Sequence, residues 1–72
     1  MYIVFYNTND VFIAEEKIAS QQLNVEVVPT PVQDKAYCGV CVQVDNNDIE
    51  KTRSILLNMD YIEVEDEWGF KL

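Results

Sequence analysis

Cys38-Gly39-Val40-Cys41 contains the only two cysteines of a 72-residue chain that has no histidine. Without imidazole, most acid–base and metal chemistry lacks its usual side chain. A thiolate is then the one good nucleophile on offer for covalent chemistry. The pair follows shortly after Pro29-Thr30-Pro31. Sulfur handling, dithiol redox exchange and thiol–metal binding are the chemistries to weigh. The plain alternative is two small apolar side chains in a strand of a protein that only binds something.

Composition narrows the field. Seventy-two residues predict one domain, 1–72. A chain this short buries only about 60% of its unfolded surface, so it gains from a partner. With 49% apolar residues it is too hydrophobic to be disordered. Two cysteines are too few for a disulfide scaffold, which makes a reducing cytoplasm the expected compartment. Met1-Tyr2-Ile3-Val4-Phe5 lacks the basic start of a signal peptide, and no apolar run approaches the roughly 18 residues of a membrane helix. The formal charge is −8, from 13 acids against 5 bases. Such a chain repels phosphate backbones and anionic membranes, so no nucleic acid and no membrane is expected. A basic partner protein fits better. Structural zinc needs about four ligands, and two thiols fall short of that. No metal and no cofactor is expected, a site shared across a dimer being the one exception.

The elements that must position the cysteines follow from periodicity. Tyr2 to Tyr6 is β-branched and aromatic, a strand. Thr8 offers a hydroxyl N-cap, with Asn7 and Asn9 as alternatives, and Asp10 suits the first turn of a helix. Val11, Ala14 and Ile18 follow at helical spacing, with Phe12, Ala19 and Leu23 widening that face. The spacing predicts a helix from about Asn9 to Gln22. Val25 to Val28 reads as a second strand ended by Pro29, and Pro29 to Tyr37 as a loop. Gly39 to Val44 is a third strand, with Val40, Val42 and Val44 on one face and Gly39, Cys41 and Gln43 on the other. Asp45-Asn46-Asn47-Asp48 is a turn and cap cluster. A second helix is expected from about Asp48 to Asn58, with Ile49, Thr52, Ile55, Leu56 and Met59 inward. Tyr61 to Glu65 is a fourth strand, where Ile62/Val64 alternate with Glu63/Glu65 and one face is expected to be wet. Glu63, Glu65, Asp66 and Glu67 then read as a solvated edge. Trp68 and Phe70 read as core caps.

The order βαββαβ predicts an α+β, ferredoxin-like plait: a four-stranded antiparallel sheet in order 4-1-3-2 with two helices on one face. The other face, carrying Tyr2, Val4, Tyr6, Cys41, Gln43 and Tyr61, is expected to lack cover within the monomer. An apolar face of that kind suggests a homodimer or a partner.

In this topology Cys38 lies at the sheet end where strand one finishes and helix one starts. Unpaired amides at a helix start stabilise an anion, a thiolate included. Asp10 and Asp34 would oppose this if close. Along a strand, Cys38 and Cys41 would stand about 10 Å apart and point to opposite faces. A disulfide needs less than about 7 Å. Cys41 is therefore either a small packed hydrophobe or, if the chain bends at Gly39, a resolving thiol. Pro29-Thr30-Pro31 is either a rigid turn or a wall that positions an incoming group against Cys38. Gly39 serves either a positive φ or a close strand contact, or else close approach of a ligand beside the thiol.

Over nearly its whole length the sequence resembles the selenium/sulfur (Se/S) carrier protein-like family of small bacterial domains. The resemblance rests on Phe5-Tyr6-Asn7-Thr8 closing the first strand, on Ala14-Glu15-Glu16-Lys17 at the helix centre, on Pro29-Thr30-Pro31, and on Cys38-Gly39 opening a strand. Pro-Thr-Pro and Cys-Gly at this distance are fairly specific together. Members often place a serine shortly before the cysteine, where this chain has Lys35-Ala36-Tyr37. The resemblance implies that Cys38 carries sulfur or selenium, as a persulfide or selenosulfide, between donor and acceptor proteins that it does not identify. It gives Cys41 no such role. Gly39, Thr8, Asn9, Pro29, Thr30 and Pro31 are the expected supporting residues. Such a carrier is not an enzyme in the turnover sense. The competing expectation is a regulatory or protein-interaction module that dimerises through its open sheet face and has no need of the Cys38 sulfur.

Overall fold

The structure is a computed structural model that describes residues 1–31 and 34–65. Elements run β1 (Tyr2–Val4), α1 (Thr8–Ser20), β2 (Val25–Pro29), β3 (Val40–Val44), a 3-10 turn (Asn46–Asp48), α2 (Ile49–Ile55) and β4 (Ile62–Val64). The strands form one sheet in the order β2-β3-β1-β4, and every neighbouring pair is antiparallel. This is the expected 4-1-3-2 order read from the other edge, with two helices, and the fold is the ferredoxin-like α+β plait. Expectations for residues 32–33 and for Asp66, Glu67, Trp68 and Phe70 lie outside the described residues.

Register assigns the faces. Ile3 stands opposite Val42 on one side and Glu63 on the other. These positions belong to the helix-covered face. There Ile3, Phe5, Val11, Ala14, Ile18, Val42, Val44 and Leu56 form the main core. Each large side chain fully buried there contributes about 1.5–3 kcal/mol. Thr52 is buried among them, and its hydroxyl donates to the Asp48 carbonyl at 2.9 Å, so its polarity is satisfied.

Several expectations need correction. The inward stripe of α1 is narrower than the sequence suggests: Phe12 is 53% exposed and Ala19 is also outside. Phe12 is one step, about 100°, beyond Val11, and the thin α-layer does not reach that far around the helix. Helix two stops at Ile55 rather than Asn58, because the backbone tightens into i→i−3 bonding. Met59 N–H donates to the Leu56 carbonyl at 3.0 Å, turning Met59 and Tyr61 back over the core.

The sheet face away from the helices is not bare. Tyr2, Val4 and Cys41 are buried in a second cluster, against which Val28, Tyr37, Ile62 and Val64 pack. Tyr61 does not belong to this face. It packs on the helix side, with its ring 5.8 Å from Phe5. The parity of β4 is thus the reverse of a simple apolar-in reading. Ile62 and Val64 pair with Val4 and Tyr2, while Glu63 turns toward α2. There Arg53 donates two hydrogen bonds to the Glu63 carboxylate, at 2.8 and 2.7 Å. Glu63 is a half-buried bridge between layers, not part of a free solvated edge.

Candidate functional site

The site grows from the start of α1. Asn7, extended at φ −148°, is the N-cap, not Thr8. Its side-chain oxygen accepts from the Asp10 amide at 2.8 Å, and its amide nitrogen donates to the Asp10 carboxylate at 3.1 Å. This reciprocal cap takes up the Asp10 carboxylate. It also leaves Thr8 and Asn9 in the first turn, where backbone amides have no intrahelical acceptor. Asparagine caps as well as threonine does, and its capping releases the Thr8 hydroxyl for another use.

That use is Cys38. Thr8 Oγ1 lies 3.2 Å from Cys38 Sγ, across thirty positions of sequence. The cysteine reaches the helix start because its backbone is held twice. Cys38 N–H donates to the Phe5 carbonyl at 2.9 Å, which fastens it to the end of β1. Its own carbonyl accepts the Thr30 hydroxyl at 2.6 Å. Thr30 N–H also donates to the Gly39 carbonyl at 3.0 Å, extending the β2–β3 ladder beyond Pro29. Cys38 is half-buried, with its apolar part against the main core.

Gly39 serves neither of its expected structural purposes. Its φ is not positive, and a Cβ placed there would meet no atom within 4 Å. This exposed glycine is open surface at the position next in sequence to the thiol. On the other flank, Tyr37 is half-buried and stacks on Tyr6 with ring centroids 5.3 Å apart. Tyr6 is 48% exposed. No sequence signal marks this pair, because the loop spacing does not reveal that Tyr37 folds back onto Tyr6.

Cys41 is placed quite differently. It is fully buried on the opposite sheet face, with its Sγ 3.9 Å from the Pro29 carbonyl. Burial pushes its thiol pKa up; a hydrogen bond with Thr30 acts against this, and the charge of Cys38 adds to the rise. Both cysteines are free thiols. Of the expected supporting residues, Thr8, Thr30 and Gly39 meet around Cys38. Pro29 contributes its carbonyl to Cys41 instead, and Pro31 is exposed at the loop. Asn9 is exposed, and no hydrogen bond joins it to Cys38 among the described residues. The Asp34 carboxylate is turned to the Ala36 amide at 2.9 Å, capping its own loop.

Among the described residues no group of three or more metal-ligating side chains converges. No described helix is long and apolar enough to cross a membrane. An open cavity of about 450 Å³ lies at the far end of β2 and β3 between Met1, Asn24, Glu26 and Asp45, away from both thiols.

The family model described as Putative Se/S carrier protein-like matches residues 1–68. No curated protein and no solved structure matches.

Proposed function

The chain belongs to the Se/S carrier protein-like family, and we propose that it is a small carrier that holds a sulfur or selenium atom on Cys38. The observation that supports this most is the 3.2 Å approach of the Thr8 hydroxyl to a half-buried Cys38 thiol at the start of α1. A hydroxyl within hydrogen-bond reach favours an anion by donating to it, whether thiolate or persulfide.

Loading is a sulfur transfer with no net oxidation. The Cys38 thiolate attacks the outer sulfur of a donor persulfide. A new S–S bond forms at Cys38, the donor's own S–S bond breaks, and the donor thiolate leaves with the electron pair. Unloading repeats the step on an acceptor thiolate. The selenium counterpart leaves a selenosulfide on Cys38. The protein turns over no substrate; donor and acceptor proteins supply the reaction at each end. The partial exposure of Cys38 gives their reactive groups a way in. A reducing cytoplasm keeps both thiols ready.

The test compares wild type, Cys38→Ser and Cys41→Ala after exposure to a persulfide donor, with intact mass as the readout. The carrier gains one sulfur in wild type and in Cys41→Ala and none in Cys38→Ser. If wild type gains no sulfur while remaining folded, the carrier reading fails, and a module that needs no Cys38 sulfur takes its place.

A further inference from the structure

A carrier with two thiols faces an internal hazard. If the Cys41 thiolate attacked Sγ of a Cys38 persulfide, a Cys38–Cys41 disulfide would form. The outer S–S bond would break, and the cargo would leave as hydrosulfide with the electron pair. The sulfur would be lost and the carrier left oxidised. Separation of the two thiols therefore matters to a persulfide carrier in a way it does not to a simple binding domain.

Thr30 is bonded to the segment that joins them. The Thr30 hydroxyl donates to the Cys38 carbonyl at 2.6 Å. The Cys41 thiol is directed to the carbonyl of the preceding residue, Pro29, at 3.9 Å. The Thr30 backbone N–H holds the Gly39 carbonyl, within the segment that joins the cysteines. Cys38 thereby packs toward the helix-side core, and Cys41 stays fully buried in the cluster on the opposite face. Pairing of Val28 with Cys41 and of Pro29 with Val40 keeps the segment extended up to that point. The chain already bends at Gly39, and a disulfide would require it to bend further there, where there is open space. The Thr30 contacts are what oppose that bend.

We propose that Thr30 is a positioning residue that partitions the two thiols, keeping Cys38 on the helix side and Cys41 out of reach, so that cargo leaves only to an external acceptor. Pro29 and Pro31 restrict the backbone on either side of Thr30, so its hydroxyl is presented with little freedom to turn away. The benefit to the cargo rests on the carrier reading above; the partition itself does not.

The experiment oxidises folded protein with diamide, which takes up the two hydrogens as the disulfide forms, and follows loss of two mass units. Wild type, Thr30→Ser, Thr30→Val and Thr30→Ala are compared, with wild type in 8 M urea as the unconstrained reference. Folding of each is checked by circular dichroism. Folded wild type is expected to close the internal disulfide at least a hundredfold more slowly than in urea. Thr30→Val and Thr30→Ala speed closure about tenfold over wild type, the factor expected from a lost hydrogen bond, and Thr30→Ser restores the slow rate. A purely structural loss would not be rescued in disulfide rate by serine. Equal rates in wild type and both hydroxyl-free variants overturn the proposal, as does a folded wild type that closes as fast as in urea. If the valine variant does not fold, Thr30→Ala and the urea ratio decide. Since no sulfur donor is used, failure here is distinct from failure of Cys38 to load.

Discussion

Thr8 and Cys38, thirty residues apart, meet at 3.2 Å between hydroxyl oxygen and sulfur. The hydroxyl has nothing to do with capping its helix, since Asn7 performs that task. Its contribution is therefore to the thiol. Thr8→Val, which keeps the shape, is expected to slow alkylation of Cys38 by iodoacetamide at pH 7 about threefold to tenfold, the range for a lost hydrogen bond to a charged group at a partly exposed site. Thr8→Ser should react as wild type does. Equal rates for all three would show that the contact does not favour the thiolate.

Gly39 has ordinary backbone geometry and open surroundings. Gly39→Ala should therefore fold without strain and gain about 0.4–1 kcal/mol in urea unfolding, because alanine narrows the unfolded ensemble. Gly39→Leu puts a bulky side chain at the position next to the thiol. It is expected to slow sulfur uptake from a protein donor at least about fivefold, while small alkylating agents react at the wild-type rate, as for a reactant pushed out of its attack geometry. Equal slowing of large and small reagents would contradict the idea of an approach path.

Glu63 links β4 to α2 through Arg53. The guanidinium holds the carboxyl below its ordinary value, chiefly by hydrogen bonding; burial opposes this and the charge of Arg53 assists it. A carboxyl whose pKa is depressed on folding adds stability above its unfolded value of about 4.3. That stability is lost as pH falls through the folded value, because the unfolded chain binds the proton first. Urea midpoints of wild type should exceed those of Glu63→Gln at pH 7, and the gap should close below about pH 4.3. Arg53 is half exposed, so the gap is small and shrinks in 1 M salt. A gap that is constant from pH 7 to pH 3 would disprove the linkage.

Gln22 is the one non-glycine residue with a positive φ among the described residues, at 63°. It closes α1: its N–H donates to the Ala19 carbonyl at 2.9 Å after the Gln21 N–H donates to Ile18 at 3.1 Å. Glycine has no Cβ to strain there. Gln22→Gly should stabilise by about 0.5 kcal/mol and raise Tm by about 2–4 °C in a thermal melt. An unchanged or lowered Tm would mean that the lost side chain contributes more than the relieved strain.

The order of elements was legible from periodicity, because each strand and helix carries its own pattern, and the plait follows from connection rules. The cysteine at the helix start was legible too, since topology alone brings residue 38 beside residues 7–10. What periodicity could not reveal were the side-chain partnerships. Asn7, Thr8 and Asn9 are near-equivalent as caps, so whether Thr8 keeps its hydroxyl free depends on local geometry. Glu63 looked solvent-facing because alternation shows that faces differ, not which face meets the helices. The far face looked open for a related reason. Strand patterns list Tyr2, Val4 and Cys41 but cannot foresee that Tyr37 packs over them.

The central place of β1 has a consequence for biosynthesis. Residues 2–4 leave the ribosome before their two partners, β3 and β4, which begin only at residues 40 and 62. This inner strand must wait unpaired on both edges until β3 has emerged, and on one edge until β4 follows. The Phe5 carbonyl that anchors Cys38 sits directly at its end. A nascent chain in which β3 has not yet paired with β1 therefore presents a bare, unanchored thiol, and the Thr8–Cys38 pair forms once the end of β1, the start of α1 and the lead-in to β3 have met. Competence at the thiol thus acts as an internal report that segments distant in sequence have come together.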